Sequence, residues 1–262
     1  MIENYIERRK KLKEKLRRRD KVFGGWISYR EPAISETFAK AGFDFIAIDM
    51  EHTTISIDDA NRIITSVQAE GSVCLPRPVS HNNDYIKPLL EAGADGMIIQ
   101  MVNTVEEVNN LLNLQKFPPV GNRSFGVNRA HGYGFDFDRY IETWNDSSIF
   151  MIQVESIEGV NNIERLVEVE GIDAVMIGPY DISGSLGLPG QTDHPKVREA
   201  SRHVVEVCAK AGLSCMTQIS DVTESAIEDA FSQGYTAIVL GSDLFVLWKW
   251  AADMKSLISS MR

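Results

Sequence analysis

The chain has 262 residues, 44% of them hydrophobic and 24% charged, with a formal net charge of −10. This composition suits one large globular α/β domain with a sizeable core, and the negative balance disfavours a nucleic-acid partner. The N-terminus lacks the apolar stretch of a secretion signal, and no run approaches the ~18 uncharged apolar residues of a membrane span. The expectation is therefore a cytoplasmic protein with no membrane partner.

In chain order, the first feature is the basic run RRKKLKEKLRRRDK (8–21). Such a run can bind RNA or an anionic membrane. No aromatic residues interleave the charges, as single-strand binding requires. The simpler reading is a solvated N-terminal helix over residues 1–21 with a thin apolar stripe of Ile6, Leu12 and Leu16. Eight short apolar runs follow: 22–27, 43–49, 72–77, 95–101, 149–155, 172–178, 213–218 and 236–241. Near-continuous apolar runs of this length read as strands of a parallel sheet covered on both faces.

The connectors read as helices, at 31–42, 58–71, 84–94, 102–115, 158–171 and 195–212. An Ala-Gly pair ends several of them (41–42, 92–93, 211–212), the pattern of a helix C-terminus turning into the next strand. Eight βα units in a chain of this length predict a single-domain (β/α)8 TIM barrel spanning 1–262, a fold that typically takes about 250 residues. An open doubly wound sheet is the alternative, but no GxGxxG or GxxxxGK[ST] fingerprint follows the first strand. Residues 116–148, rich in Gly, Pro, Asn and aromatics, break the rhythm between strands four and five. A loop of that length is expected to be functional or a lid, and His131 within it is a candidate to meet substrate. Cys74, Cys208 and Cys215 have no metal-finger or CxxC spacing and read as buried thiols of a reducing compartment.

In a barrel, functional groups sit at the C-terminal ends of the strands. Asp49, with Glu51 and His52 after it, ends strand two, and Arg77 ends strand three. Gln100 lies at the end of strand four, and Gln153 and Glu155 end strand five. Gly178-Pro179-Tyr180-Asp181 follows strand six, Gln218 ends strand seven and Gly241-Ser242-Asp243 follows strand eight. Glu155 and Asp181, on neighbouring strand ends, can reach one point above the barrel. Each alone reads equally as a helix cap, but together they suit Mg²⁺ or Mn²⁺, with Co²⁺ admissible. Asp49 and His52 form a plausible acid–base pair, the carboxylate fixing the imidazole tautomer. Arg77 offers a planar donor fork for a carboxylate or enolate oxygen, or an ion pair with Asp49 or Glu51. No strand ends in a lysine, which argues against Schiff-base chemistry.

The motifs GFDFIAIDMEH (42–52), FPPVGNRSFG (117–126), IQVESIEGVNNIE (152–164) and GIDAVMIGPYDISGSLG (171–187), with the Arg77 strand end, resemble the HpcH/HpaI aldolases, the class II pyruvate-type aldolases. The likeness runs from about Phe23 to Gly241. It implies Glu155 and Asp181 as metal ligands, His52 as general base with Asp49 as its partner, and Arg77 on the enolate oxygen. It also implies Gln153 beside the oxo acid, and the backbone N–H groups of the Gly178–Asp181 turn, at Tyr180 and Asp181 after Pro179, on the substrate carboxylate. The implied reaction cleaves or forms a 4-hydroxy-2-oxo acid, giving pyruvate or a related 2-oxo acid and an aldehyde. Condensation or cleavage of oxaloacetate or an ester at the same enolate site is the alternative, and a binding protein without catalysis is a third reading. The resemblance further implies a homo-oligomer, commonly a hexamer with the C-terminal helix exchanged, and the apolar tail 242–258 fits that or an ordinary last barrel helix. Thr53, Pro78 and Gln100 depart from the common family pattern around the pocket, which bears on the second substrate.

Overall fold

A computed structural model describes residues 2–262. Its eight strands are β1 (Val22–Ile27), β2 (Phe45–Asp49), β3 (Val73–Arg77), β4 (Gly96–Ile99), β5 (Ile149–Val154), β6 (Ala174–Ile177), β7 (Ser214–Ile219) and β8 (Ala237–Leu240). All ladders are parallel, in the order β3-β2-β1-β8-β7-β6-β5-β4. The Asp95 amide, just ahead of β4, donates to the Cys74 carbonyl of β3 at 3.0 Å and brings the two edges together. The result is the expected (β/α)8 barrel. Each of the eight apolar runs supplies one strand, trimmed by a residue or more at most ends.

Around the strands run α1 (Ile2–Arg17), α2 (Pro32–Ala39), α3 (Ile57–Ala69), α4 (Asn83–Glu91), α5 (Val105–Gln115), α6 (Phe137–Ser147), α7 (Ile157–Asn161), α8 (Ile163–Leu166), α9 (Pro179–Ser185), α10 (Pro195–Ala211), α11 (Glu224–Ser232) and α12 (Asp243–Ser260). Capping boxes open two of them, Ser56 with Asp59 on α3 and Thr104 with Glu107 on α5. These reciprocal bonds satisfy backbone donors that a helix start leaves free. The helix-end glycines Gly42, Gly93 and Gly212 have φ of 81°, 92° and 72°, the left-handed conformation that turns a helix into the next strand.

Strand alternation sorts side chains into two cores. Ile46, Ile48, Met97, Ile99, Phe150 and Ile152 face the helices. Phe45, Ala47, Val73, Leu75, Ile98, Met151, Met176 and Val239 fill the barrel interior. A Cβ on Gly24 would meet the Phe45 ring at 2.3 Å, so glycine there makes room for the largest interior side chain. Continuing the same alternation one step past the apolar layers turns Asp49, Arg77, Gln100, Gln153 and Glu155 inward at the C-terminal mouth.

The opposite mouth is closed by α1, contrary to the solvated helix expected from its charge. Leu12 and Leu16 belong to the interior core, and Arg9 and Lys13 are buried. Their partners are carboxylates at the strand starts: Arg9 to Asp95 at 3.1 Å, Lys13 to Asp173 at 2.8 Å and Lys15 to Asp44 at 2.6 Å. Each of these aspartates stands just before an even-numbered strand and also accepts a backbone N–H from the odd strand before it. The donors are Phe23 to Asp44 at 3.0 Å, Cys74 to Asp95 at 3.0 Å and Phe150 to Asp173 at 2.9 Å. The fourth quarter uses a hydroxyl: Cys215 donates to Thr236 Oγ1 at 3.2 Å.

Residues 116–148 lie at this closed end too. They follow α5 and lead into β5, so they form a helix-to-strand connection on the face opposite the strand C-termini. Arg139 pairs with Glu3 of α1 at 2.7 Å, Arg9 donates to Ser147 at 3.2 Å, and Arg129 donates to the Ala92 carbonyl at 2.8 Å. The segment therefore does not cover its own barrel's mouth. His131 is wholly buried there among Phe117, Phe137 and Tyr140, with no hydrogen bond to either ring nitrogen, which removes it from the substrate candidates.

At the other terminus, α12 buries only Asp243 of its 18 residues. Leu244, Val246, Leu247, Trp248, Trp250, Leu257 and Ile258 are exposed, so this is not an ordinary barrel helix packed on its own sheet. Among the described residues no helix is long and apolar enough to cross a membrane.

The buried pairs under the barrel set a stability prediction. Lys13→Met strands the Asp173 carboxylate in the interior and is expected to cost about 3–5 kcal/mol. Lys15→Met breaks a pair that is partly exposed on both sides and is expected to cost at most about 1 kcal/mol. Urea unfolding of the two variants measures the contrast. Equal losses would count against the paired-cation account of the closed end.

Candidate active site

Arg77 organises the open mouth. Its Nη2 lies 2.8 Å from Asp49 Oδ1 and its Nη1 3.0 Å from Glu51 Oε2. Nη1 also reaches Gln153 Oε1 at 3.4 Å. The guanidinium lies over the Trp26 ring, 4.9 Å from its centroid. Stacking below and carboxylates to the side hold the planar fork in one orientation. Both ion pairs foreseen as alternatives for Arg77 are present at once.

Asp49 has a different job from the one expected of it. Its Oδ1 accepts the backbone N–H of Glu51 at 3.1 Å and of His52 at 3.2 Å. It thus shapes the turn after β2 rather than bonding the His52 imidazole. The nearest carboxylate to the ring is Glu51, with Oε2 at 3.6 Å from Nε2. The His52 side chain is otherwise open to solvent at the rim, placed for proton exchange with a ligand. Glu51, expected only as an ion-pair partner of Arg77, therefore also links Arg77 to His52. Burial pushes its carboxyl above the ordinary range, against the pull of Arg77 and His52.

Glu155 is buried beneath this group. Its Oε1 accepts the Met101 amide at 2.7 Å and its Oε2 lies 3.4 Å from Gln153 Nε2. Burial raises its pKa to about 7; the Met101 amide opposes this, and the neighbouring charges of Glu51 and Asp181 add to it. Met101 adopts a φ of 49°, a left-handed conformation uncommon outside glycine, at the residue whose N–H is aimed at Glu155. Gly178 serves the same carboxylate sterically: a Cβ there would stand 2.6 Å from Glu155 Oε2. Both contacts depend on the three-dimensional crossing of β4, β5 and β6, which is why residue types alone did not show them.

Asp181 lies exposed in the first turn of α9, whose cap residue, Gly178, makes no side-chain bond to the helix. Asp181 makes no hydrogen bond of its own as a cap, which weakens the helix-cap reading. Tyr180 is also exposed, and Pro179 occupies the first helical position. Gln218 and Asp243 are structural. Gln218 Nε2 lies 3.3 Å from the Gly241 carbonyl, and Asp243 accepts the Ser28 and Tyr29 amides at 2.8 and 3.0 Å, pinning the end of β1 to the start of α12.

The charge balance of the mouth is strongly negative: Asp49, Glu51, Glu155 and Asp181 face one guanidinium. Among the described residues no group of three or more His, Cys, Asp or Glu side chains is arranged to enclose a metal ion. Glu155 and Asp181 are near enough for the Asp181 charge to raise the Glu155 pKa. Two such carboxylates are hard oxygen donors, the kind that suits a small divalent cation keeping water or substrate in its shell.

Comparison with known proteins gives the family. Residues 23–249 match the family model described as HpcH/HpaI aldolase/citrate lyase. A 2-keto-3-deoxy-L-rhamnonate aldolase from Salmonella typhi is 35% identical over 198 residues, covering 75% of this chain and 72% of that protein. An HpcH/HpaI aldolase/citrate lyase family protein from Burkholderia cenocepacia J2315 superposes with a TM-score of 0.88 at 28% identity, over 96% of this chain and 99% of the other. The citrate synthase SbnG superposes with a TM-score of 0.81 at 26% identity, over 95% and 97%. The chain belongs to the HpcH/HpaI aldolase/citrate lyase family.

Proposed function

We propose that this protein is a divalent-metal-dependent aldolase that cleaves or forms a 4-hydroxy-2-oxo acid, with pyruvate or a related 2-oxo acid and an aldehyde as the two halves. The single observation that carries the reading is the Glu155–Arg77 mouth: a buried carboxylate at an inner rim beside a stacked, fixed guanidinium. Glu155 and Asp181 would hold Mg²⁺ or Mn²⁺, with Co²⁺ also compatible with the donor set. When bound, such an ion supplies Lewis acidity to the 2-oxo group.

The chain's own residues account for the rest. The Tyr180 and Asp181 amides, at the start of a helix without a side-chain cap, receive the substrate carboxylate. Arg77 donates to the 2-oxo oxygen and stabilises the negative charge that develops there. Gln153, bonded to both Arg77 and Glu155, lies beside the oxo acid and fixes their spacing. In cleavage, His52 Nε2 takes the proton of the C4 hydroxyl. The O–H electron pair forms the aldehyde carbonyl, the C3–C4 bond breaks, and its pair passes into the enolate. Glu51 Oε2 lies 3.6 Å from that nitrogen. Protonation of C3 then yields the 2-oxo acid. Asp49 acts through the backbone by holding the turn that carries His52.

The SbnG likeness favours one alternative on the same site, condensation of an enolate with a second oxo acid such as oxaloacetate. Product analysis separates the two, since an aldehyde appears only in the first. For assembly, the exposed apolar side chains of α12 support a homo-oligomer in which this helix packs on a neighbouring copy, a hexamer by family resemblance.

Three outcomes are expected. Incubation with pyruvate and Mn²⁺ or Mg²⁺ in deuterated water exchanges the methyl protons, EDTA stops the exchange, and His52→Ala loses aldol cleavage while still binding Mn²⁺. Exchange that survives EDTA removes the metal from the mechanism. Gly178→Ala displaces the Glu155 side chain and lowers kcat by about 100-fold, the scale of an ångström misplacement; unchanged kcat would contradict the steric role of this glycine. Trp248→Glu with Trp250→Glu converts an oligomer to a protomer in sedimentation velocity, and an unaltered oligomer would place the interface elsewhere.

A further inference from the structure

β3 and β4 stand at the two ends of the sheet order, and near the closed mouth the Asp95 amide joins them by donating to Cys74. At the open mouth a side chain bridges the same seam. His81, in the loop after β3, donates from Nε2 to the carbonyl of Gln100, just past β4, at 2.7 Å. A carbonyl only accepts, so it is Nε2 that carries the proton.

That carbonyl and the Met101 N–H belong to one peptide group, and the N–H donates to Glu155 Oε1 at 2.7 Å. In a trans peptide the oxygen and the N–H point in opposite directions. A donor fixed on the oxygen therefore aims the N–H. It also polarises the group and strengthens the N–H as a donor.

The backbone on either side is anchored elsewhere. Ile99 is paired with Ile152 in the β4–β5 ladder. The Met101 carbonyl accepts from Asn103 Nδ2 at 3.1 Å, and the Val102 N–H donates to the Gln153 carbonyl at 3.1 Å. Between these anchors the plane of the Gln100–Met101 peptide can turn about its two Cα atoms. The orientation that points the N–H at Glu155 gives Met101 its φ of 49°, which is uphill for a residue with a side chain. Half a turn of the plane returns Met101 to the extended region. It also sets the carbonyl oxygen, rather than the N–H, against the Glu155 carboxylate. Glu155 holds the uphill orientation from the nitrogen side, and His81 holds it from the oxygen side.

We propose that His81 is a positioning residue: its bond to the Gln100 carbonyl keeps the Gln100–Met101 peptide in the uphill orientation, and so keeps the Met101 N–H on Glu155 and that carboxylate aimed for a divalent cation. The inference rests on the metal reading of Glu155 and deepens it. Groups that orient a ligand from outside the coordination shell tune metal affinity without touching the ion.

The test uses the full-length protein. Crystal structures of metal-free wild type and of His81→Leu read the peptide directly, and titration with Mn²⁺, followed by the electron paramagnetic resonance of the free ion, reads the consequence. In His81→Leu the Gln100 carbonyl is expected to turn toward Glu155, and Mn²⁺ affinity to fall by about 10- to 100-fold. His81→Gln, which carries an N–H near the place of Nε2, is expected to stay close to wild type in both. Met101→Gly supplies a readout that a purely seam-closing role would not move. Glycine takes the left-handed conformation at no steric cost, so adding Met101→Gly to His81→Leu is expected to recover part of the lost affinity. If His81 only joined two strand ends, the two substitutions would act independently and glycine would rescue nothing. Circular dichroism melting checks folding; if His81→Leu does not fold, His81→Asn, whose shorter amide falls short of the carbonyl, takes its place. An unturned peptide, wild-type Mn²⁺ affinity in the variant lacking the donor, or a double variant no tighter than the single one each overturns the proposal. Wild type that binds no Mn²⁺ is a separate result: it overturns the metal reading, and the crystal structures still decide whether His81 holds the peptide.

Discussion

Lys13 and Arg9, buried against Asp173 and Asp95, are the interaction on which the rest of the barrel depends. A closed parallel sheet leaves two open mouths, and a stable enzyme can leave only one of them accessible. Here α1 seals the strand N-termini with apolar side chains and with cations matched to the aspartates waiting there. Each aspartate also holds a neighbouring strand's backbone, so one carboxylate serves sheet registry and plug docking together. The paired carboxylates of this end have their counter-charges inside the chain. At the other end Asp49 and Glu51 share the single Arg77 guanidinium, and that difference sets the polarity of the molecule.

At the open mouth the same chemical groups are deliberately under-compensated. Four carboxylates surround one guanidinium, and burial pushes the Glu155 carboxyl up to about 7. Such an arrangement costs stability. The supporting details all constrain one oxygen pair. Met101 takes an uncommon backbone conformation, Gly178 gives up its side chain, and Gln153 bridges to Arg77.

Much of this was legible in the chain. The strands are short apolar runs between helix stops, and a parallel strand buried on both faces leaves that mark whatever its neighbours are. The rim residues followed from the rule that chemistry gathers where strands end. Two features were misread for definable reasons. The charge of α1 looked solvated because a helix alone does not show where its counter-ions lie. The signal was present, however, as three Gly-x-Asp triplets at 42–44, 93–95 and 171–173, each at the start of an even strand. Residues 116–148 looked like a lid because they are long and rich in loop-forming residues. They come after a helix rather than after a strand, and that order alone assigns them to the closed end. The third difference, Asp49 bonding the His52 amide instead of its ring, was invisible because a side chain's choice between backbone and imidazole is set by the turn geometry and not by residue type.

The plug has a consequence in time. Lys13 is 160 residues from Asp173, and Leu16, whose carbonyl accepts Ser214 Oγ, is 198 residues from its partner. During synthesis the first helix emerges well before β6 and β7 exist. Its cations must wait in solvent, or on transient partners, until most of the sheet has formed. A segment made before most of the sheet is thus among the last to be locked, and a partial chain that stops short of β6 holds an unsealed barrel bottom. Contacts this distant slow folding, and they make the seating of α1 a check that the barrel above it has been completed.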